Sequence, residues 1–431
     1  MRRITLFLFI LLLLAWWSRI YAQADEVVTP EPVTLTDEQG SYPLGLHLEI
    51  LEDPGGELTI EDVSDPEFNA RFVPSQVEVP SYGYTNSTYW VRLKLRNESP
   101  AIDHWLLELG FANMHYVDLY TPLPDGNGFS EKQTGTLRPL DSRDIPNPHI
   151  IFDLPIPTDG EQTIYLRFQN GASMTLPLIL WQPLAFSSGF QLDQLRQGIF
   201  YGLLLGLLVY NLFLLLTLRE KSYLYLVVFL ASIMFYEATF SGNFELYVAP
   251  KLYYLKPYYL LFSLVIIFAS IILFSDSFLE VKSRFPRLHR VNIAIVGVWG
   301  ILIILIPFNS YQIVVQRGVY LAVSSLVAAL AAGIFSWRHG FHPARFYMFS
   351  WLGLIFTIPI AMLVRSGAVA STAFTENLYR FGIMWMAVSF SIALADRVNS
   401  LKAKAESANR DLQNSERRLA QILETMPVGV V

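Results

Sequence analysis

The chain has 431 residues, of which 53 % are hydrophobic and only 16 % charged, against about 25 % charged in an ordinary soluble protein. Its net charge of −6 is unevenly spread: residues 23–193 hold 26 acidic and 8 basic side chains, a charge of −18, which leaves +12 for the remainder. That balance excludes a wholly soluble globule, the acidic front argues against nucleic acid as a partner, and the absence of cysteine excludes disulfides, thiolate nucleophiles, cysteine zinc sites and iron–sulfur clusters.

Residues 1–24 have the layout of a secretory signal. Arg2 and Arg3 form a basic start, residues 6–14 an apolar core, and Ala22-Gln23-Ala24 a small-residue cleavage site. The apolar stretch falls short of the roughly 20 residues a membrane anchor needs.

Residues 25–185 then alternate in short segments broken by Gly, Pro, Asn and Asp. Residues 90–96, "WVRLKLR", alternate strictly and predict a strand with one wet face. Further strands are predicted at 105–109, 116–120, 150–154, 163–168 and 176–181, with turns at "DPGG", "PDGNG" and "NGAS". Many short strands without long helical patterns favour an antiparallel sandwich. Tyr82, Tyr84, Tyr89, Trp90, Trp105 and Trp181 are candidate stacking platforms for a ligand such as a sugar, and equally candidate core residues. Arg138 and Arg143 flank "PLDS" and suit either an anion clamp or surface ion pairs. His47, His104, His115 and His149 are scattered and suggest no metal ligand set.

Four stretches carry a resemblance in order: "LEDPGGELTIEDV" (51–63), "GYTNSTYWVRLKLRN" (83–97), "VDLYTP" (117–122) and "IYLRFQNGASMTLPLILW" (164–181). Together they resemble the second type of extracellular sensor domain found in bacterial seven-transmembrane receptors with diverse intracellular signalling modules. The resemblance implies a jelly-roll-like sandwich related in shape to carbohydrate-binding modules, and a periplasmic location.

The uncharged run 198–218 and the apolar runs at 222–241, 257–278, 290–306, 311–337, 345–364 and 377–396 predict seven membrane spans, with the break at 307–310 the least marked. Alternate loops carry eight basic residues (Arg219, Lys221, Lys282, Arg284, Arg287, Arg290, Arg338, Arg345) against three (Lys251, Lys256, Arg365) in the others. The basic loops belong on the cytoplasmic side, which puts the sandwich outside and the C-terminus inside a bacterial inner membrane. Gly198, Gly202 and Gly206 share one helix face and predict close packing inside the bundle. Asn211 and Glu237 are polar groups inside spans, hence candidates for packing or function. Arg317 and Arg380 fall near outer span ends. The run from Gly198 to Asn211 and "REKSYLYLVVFLAS" (219–232) resemble the membrane region of the same receptor class, over residues 194–396.

Beyond Asp396 a heptad seam runs on from the last span: Leu394, Val398, Leu401, Ala405, Ala408, Leu412, Ser415, Leu419, Ile422 and Met426. It predicts a parallel homodimer through a coiled coil at 397–425, weak because Ala and Ser occupy core positions. Residues 415–431, "SERRLAQILETMPVGVV", resemble the entry helix and first strand of a PAS domain, so 426–431 are expected to begin a module that continues in a longer protein.

The expected architecture is thus a mixed membrane protein: an all-β sandwich, a seven-helix bundle and a coiled-coil signalling helix. The sequence carries no catalytic or cofactor-binding motif, so an enzyme is not expected in this chain, and no cofactor. The resemblance implies a receptor for a small molecule that drives a diguanylate cyclase or histidine kinase output. The alternative is a transporter or apolar-ligand-binding membrane protein with a periplasmic cap. In either case the lipid bilayer is a partner.

Overall fold

In a computed structural model of the chain, residues 30–171, 173–309, 311–365 and 373–425 are described. The signal-like stretch 1–24 and the expected PAS start at 426–431 lie outside the described residues.

The N-terminal half is a two-layer β structure. One sheet runs in the order β4 (Val73–Pro74), β3 (Glu49–Asp53), β6 (Thr88–Asn97), β11 (Glu161–Gln169), β8 (Tyr116–Pro122), β9 (Phe129–Thr134), with β1 (Val33–Leu35) parallel on β6. The other is β10 (Ile150–Pro155), β7 (His104–Leu109), β13 (Leu178–Trp181), β2 (Ser41–Pro43). A two-strand ribbon pairs β5 (Ser81–Tyr84) with β12 (Ser173–Thr175). Between the sheets, Val91, Leu93 and Leu95 of β6 meet Leu107 and Trp105 of β7 and Phe152 of β10 in one buried core. Each such side chain taken fully out of water contributes about 1.5–3 kcal/mol.

The wet face expected for residues 90–96 is wet only at its far end: Arg96 is exposed and Lys94 half-exposed, while Trp90 and Arg92 are buried. The alternation is present, but a second cluster covers the rest of the outward side: Trp90 packs with Leu51, Val63, Phe72, Tyr120 and Tyr165. A one-turn helix, Ile60–Ser64, and the segment to Phe72 form this cover. Beneath it Arg92 donates to both carboxylate oxygens of Glu49 at 2.8 and 2.9 Å and also to Asn69. Its guanidinium lies 4.4 Å from the Phe72 ring centre. A charged residue can sit on the covered part of a strand when the neighbouring strand and the cover supply its partners.

Among the described residues, seven helices are long and apolar enough to cross a membrane. They are α1 (Pro183–Leu218), α2 (Lys221–Phe240), α3 (Lys256–Phe278), α4 (Pro286–Leu305), α5 (Tyr311–Arg338), α6 (Ala344–Arg365) and α7 (Leu378–Thr425). The weakly marked break at 307–310 does separate α4 from α5, through a short 3-10 turn at Ile306–Phe308. Only Gln182 separates β13 from α1, and its amide donates to the Asp37 carbonyl at 3.0 Å, so the sandwich continues into the first span with almost no slack.

The glycine stripe requires a correction. A Cβ added at Gly198, Gly202 or Gly206 would meet nothing within 4 Å. The inward face of α1 is instead Gln197, Phe200, Leu204 and Asn211, so these glycines point away from the bundle. The close approaches lie elsewhere. A Cβ on Gly382 would stand 2.1 Å from Thr357 Oγ1 and 3.0 Å from the Gly353 carbonyl oxygen. One on Gly333 would stand 2.8 Å from Tyr347. Small residues thus bring α6 against α7 and α5 against α6.

Candidate functional site

The sandwich docks on one end of the bundle, where α2 ends and α3, α5 and α7 begin. The loop after β7 makes the central contacts. Asn113 Nδ2 donates to the Phe240 carbonyl at 2.8 Å, and Lys256 Nζ donates to the Ala112 carbonyl at 3.1 Å. The Lys256 ammonium also lies 3.4 Å from Glu245, with both side chains 4–5 % exposed, and Tyr259 donates to the same carboxylate at 2.7 Å. Lysine is seldom buried unless paired; here one carboxylate and one carbonyl from the other domain hold it. Gly242 sits with φ +83° against Pro148, and a Cβ there would be 2.7 Å from the Pro148 carbonyl oxygen.

His115 completes the seam. Its Nδ1 accepts the Gly171 amide at 3.1 Å, and its ring lies 5.8 Å from that of Tyr311, the first residue of α5. Burial, helped by the Lys256 charge, pulls the imidazole down to about 4, and an Nδ1 acceptor has to be unprotonated. Between about 6.5, the free value, and about 4, the unfolded chain takes up a proton that the docked one refuses. Stability from this group is therefore complete above about 6.5 and is lost as pH falls toward 4, about 3 kcal/mol in all. His115→Gln should flatten the fall in melting temperature between pH 7 and pH 5; an unchanged slope would remove His115 from the account.

The bundle ties its last helix at three levels. Near the sandwich, Glu237 of α2 accepts from Tyr379 at 3.1 Å and lies 3.5 Å from Arg380 Nε. Midway, Asn211 of α1 donates to Ser391 at 2.9 Å, fully buried. At the far end, Arg397 donates to Ser222 of α2 at 3.3 Å and to the Ser277 carbonyl of α3 at 3.1 Å, and reaches Glu280 at 3.4 Å. Residues 380 to 397 span about 25 Å of helix, so α7 is gripped over most of a bilayer. Between the ties, Phe390 packs on Phe274, Tyr347 and Trp351.

The candidate ligand residues do not converge. Trp90 and Trp105 are fully buried in the two cores, and Tyr89 is 3 % exposed, so these three are packing residues and present no open stacking face. Arg138 is held by Asp118 and by the Thr134 carbonyl at 3.1 Å, and Arg143 by the Asn147 and Pro148 carbonyls; an anion clamp from the pair is not formed. Trp181 donates to Glu108 at 2.7 Å and packs on Phe186 at the sandwich–α1 junction. Tyr84 is 42 % exposed on the β5 ribbon, beside Tyr82 at 41 %, whose ring stacks on Tyr89 at 4.2 Å. Among the described residues no three His, Asp or Glu side chains are grouped to hold a metal ion.

Asn211 and Glu237 stand out in the sequence as polar groups in apolar runs; Lys256 and Arg397 do not, because each sits at the end of an apolar run, where a charge is ordinary. The described part of the coiled-coil seam begins inside the bundle. Leu394 is buried and Val398 packs against the same cluster, whereas Ala408, Leu412 and Ser415 are exposed on the free part of α7. Met426 lies outside the described residues.

Two family profiles match the chain: 7TMR-DISM extracellular 2 over residues 45–182, and 7TM diverse intracellular signalling over residues 193–397. No curated protein matches it. The order sandwich, docking seam, seven helices agrees with both matches and with their junction at α1. The chain is a multi-pass membrane protein and belongs to the family of seven-transmembrane receptors with diverse intracellular signalling modules, sensory receptors that carry an extracellular sensor domain.

Proposed function

We propose that the sandwich binds a small polar molecule, a carbohydrate fitting best, on the face carrying β5 and β12, outside the bacterial inner membrane. The single observation that carries this reading is the pair of exposed tyrosines, Tyr82 and Tyr84, beside a row of hydroxyls. Ser81 and Thr175 lie 3.1 Å apart, Ser173 and Thr175 3.3 Å. Aromatic faces with adjacent hydroxyls match the alternating apolar and polar sides of a sugar ring. The ribbon also lies close to the docking seam, since Gly171, whose amide donates to His115, is two residues before β12 in sequence.

A ligand there biases the seam, and the ties on α7 pass the bias to the other side of the membrane. Ligand binding can shift a two-state bundle only by its difference in affinity for the two states. The free part of α7 pairs with that of a second copy as a parallel coiled coil and delivers the signal to a cytoplasmic module, a diguanylate cyclase or histidine kinase by family resemblance. The excess of basic residues in alternate loops supports this orientation.

Orientation is testable because the chain has no cysteine. An impermeant maleimide added to spheroplasts should label Ser130→Cys on β9 and spare Arg410→Cys on α7; labelling of both, or of neither, contradicts the topology. For the ligand, the full chain in nanodiscs is screened by thermal shift against neutral mono- and disaccharides. A saturating binder at a hundred times its Kd stabilises by about 2.7 kcal/mol. That shift should vanish in Tyr84→Ala, and persistence of the full shift would move the site elsewhere.

A further inference from the structure

A groove of about 410 Å³ runs between α4 and α5 on the outside of the bundle, within the size range of small-molecule sites, about 300–1,000 Å³. On α4 its wall is Val298, Ile301, Leu302 and Leu305, the i, i+3, i+4, i+7 face of one helix. On α5 it is Arg317, Tyr320, Leu321 and Ser324, at the same spacing. The helices are antiparallel, so Leu305 and Arg317 stand at the sandwich end of the groove, and Val298 and Ser324 about 10 Å deeper. The Ser324 hydroxyl is already spent on the Leu321 carbonyl at 2.7 Å. Polarity is therefore graded: a guanidinium at the top, then apolar wall below.

The groove opens away from the bundle, since Val298, Ile301 and Tyr320 are 48, 55 and 78 % exposed. Leu302 and Leu321 of its wall belong to one cluster with Trp299, which stacks on Phe268 at 5.3 Å and donates to Ser325 at 2.9 Å. In a membrane an occupant enters from the bilayer. Arg317 makes no ion pair among the described residues, and it lies about 9 Å along α5 from Tyr311, within its own reach of the head-group level.

We propose that this groove holds an anionic phospholipid of the leaflet nearest the sandwich, its phosphate on Arg317 and one acyl chain between α4 and α5. Guanidinium offers a phosphate two parallel donors, and the graded wall matches a head above a tail. The site lies on the helix whose first residue, Tyr311, faces His115, so lipid held there adds a membrane input to the docking seam. This inference stands whether or not the sandwich binds a sugar. An arginine that merely reaches up to passing head groups would also favour anionic ones, but its retained lipid would be unchanged by Val298→Trp, which fills the groove about 10 Å deeper.

The test uses the full chain reconstituted in nanodiscs with equal phosphatidylglycerol and phosphatidylethanolamine, then extracted and read by native mass spectrometry. Wild type should retain phosphatidylglycerol in preference to phosphatidylethanolamine. Arg317→Gln should lower the retained phosphatidylglycerol about fivefold, the share of one basic residue at an anionic surface, while Arg317→Lys keeps most of it. Val298→Trp, which fills the deep end and leaves the arginine in place, should lower it as well. Equal retention of the two lipids by wild type, or unchanged retention in Arg317→Gln, overturns the proposal. So does displacement of phosphatidylglycerol by an equal amount of free palmitate, which would make the occupant a fatty acid.

Discussion

Lys256→Met should loosen the sandwich from the bundle and lower the melting temperature of the purified protein more than any surface change. Removing the ammonium leaves the Glu245 carboxylate 5 % exposed without its ion-pair partner, with only the Arg143 charge in the neighbourhood, and strips the Ala112 carbonyl of its donor. Breaking a buried pair from one side costs about 3–5 kcal/mol. Adding Glu245→Gln to Lys256→Met should restore a large part of the loss, because the amide oxygen still accepts from Tyr259 and no charge is left stranded. A double variant as unstable as the single would mean that the ion pair is not what holds the seam. Since Ala112 belongs to the sandwich and Lys256 to α3, the same change should also weaken any response of the bundle to events in the sandwich.

Gly382→Val should be nearly as damaging, at about 3 kcal/mol or more, because its side chain would have to share space with Thr357 and the Gly353 backbone. Backbone cannot rotate away, so α6 and α7 must separate, and the Phe390 packing and the Arg397 tie would shift with them. Gly202→Val is the matched control. Nothing lies within 4 Å of the added group there, and the expected change is within about 0.5 kcal/mol. Melting temperatures of the two variants in the same detergent decide the point. If Gly202→Val proves the more destabilising, α1 packs through its glycines after all.

The contrast shows where sequence pattern stops informing. Seven apolar runs are legible because bilayer thickness sets a length that nothing else in the chain imitates, and even the short break before Tyr311 left a mark. Spacing of four places Gly198, Gly202 and Gly206 on one face of α1, but it does not say which way that face points; that depends on where Asn211 finds Ser391, 180 residues away. Likewise Glu237 is conspicuous as a buried carboxylate, while its partner Tyr379 is 142 residues distant. In the sandwich, alternation correctly marks β6, yet the cover over Trp90 comes from residues 58–72, which carry no pattern pointing to that face. Arg143 reads as an anion-binding residue by type, and only the fold shows its guanidinium spent on carbonyls of its own loop. Local period fixes what an element is, and non-local partners fix which side of it matters.

Transmission from the docked sandwich to the free end of α7 is tested most directly by the distance between two copies at one site on that end. Arg410→Cys is the site, exposed and opposite the heptad seam, in a chain with no other cysteine. Spin-labelled in nanodiscs, it should give a single short inter-chain distance distribution, and adding Lys256→Met, more than a bilayer away, should shift or broaden it. An identical distribution in both proteins, or no inter-chain distance at all, would contradict the account.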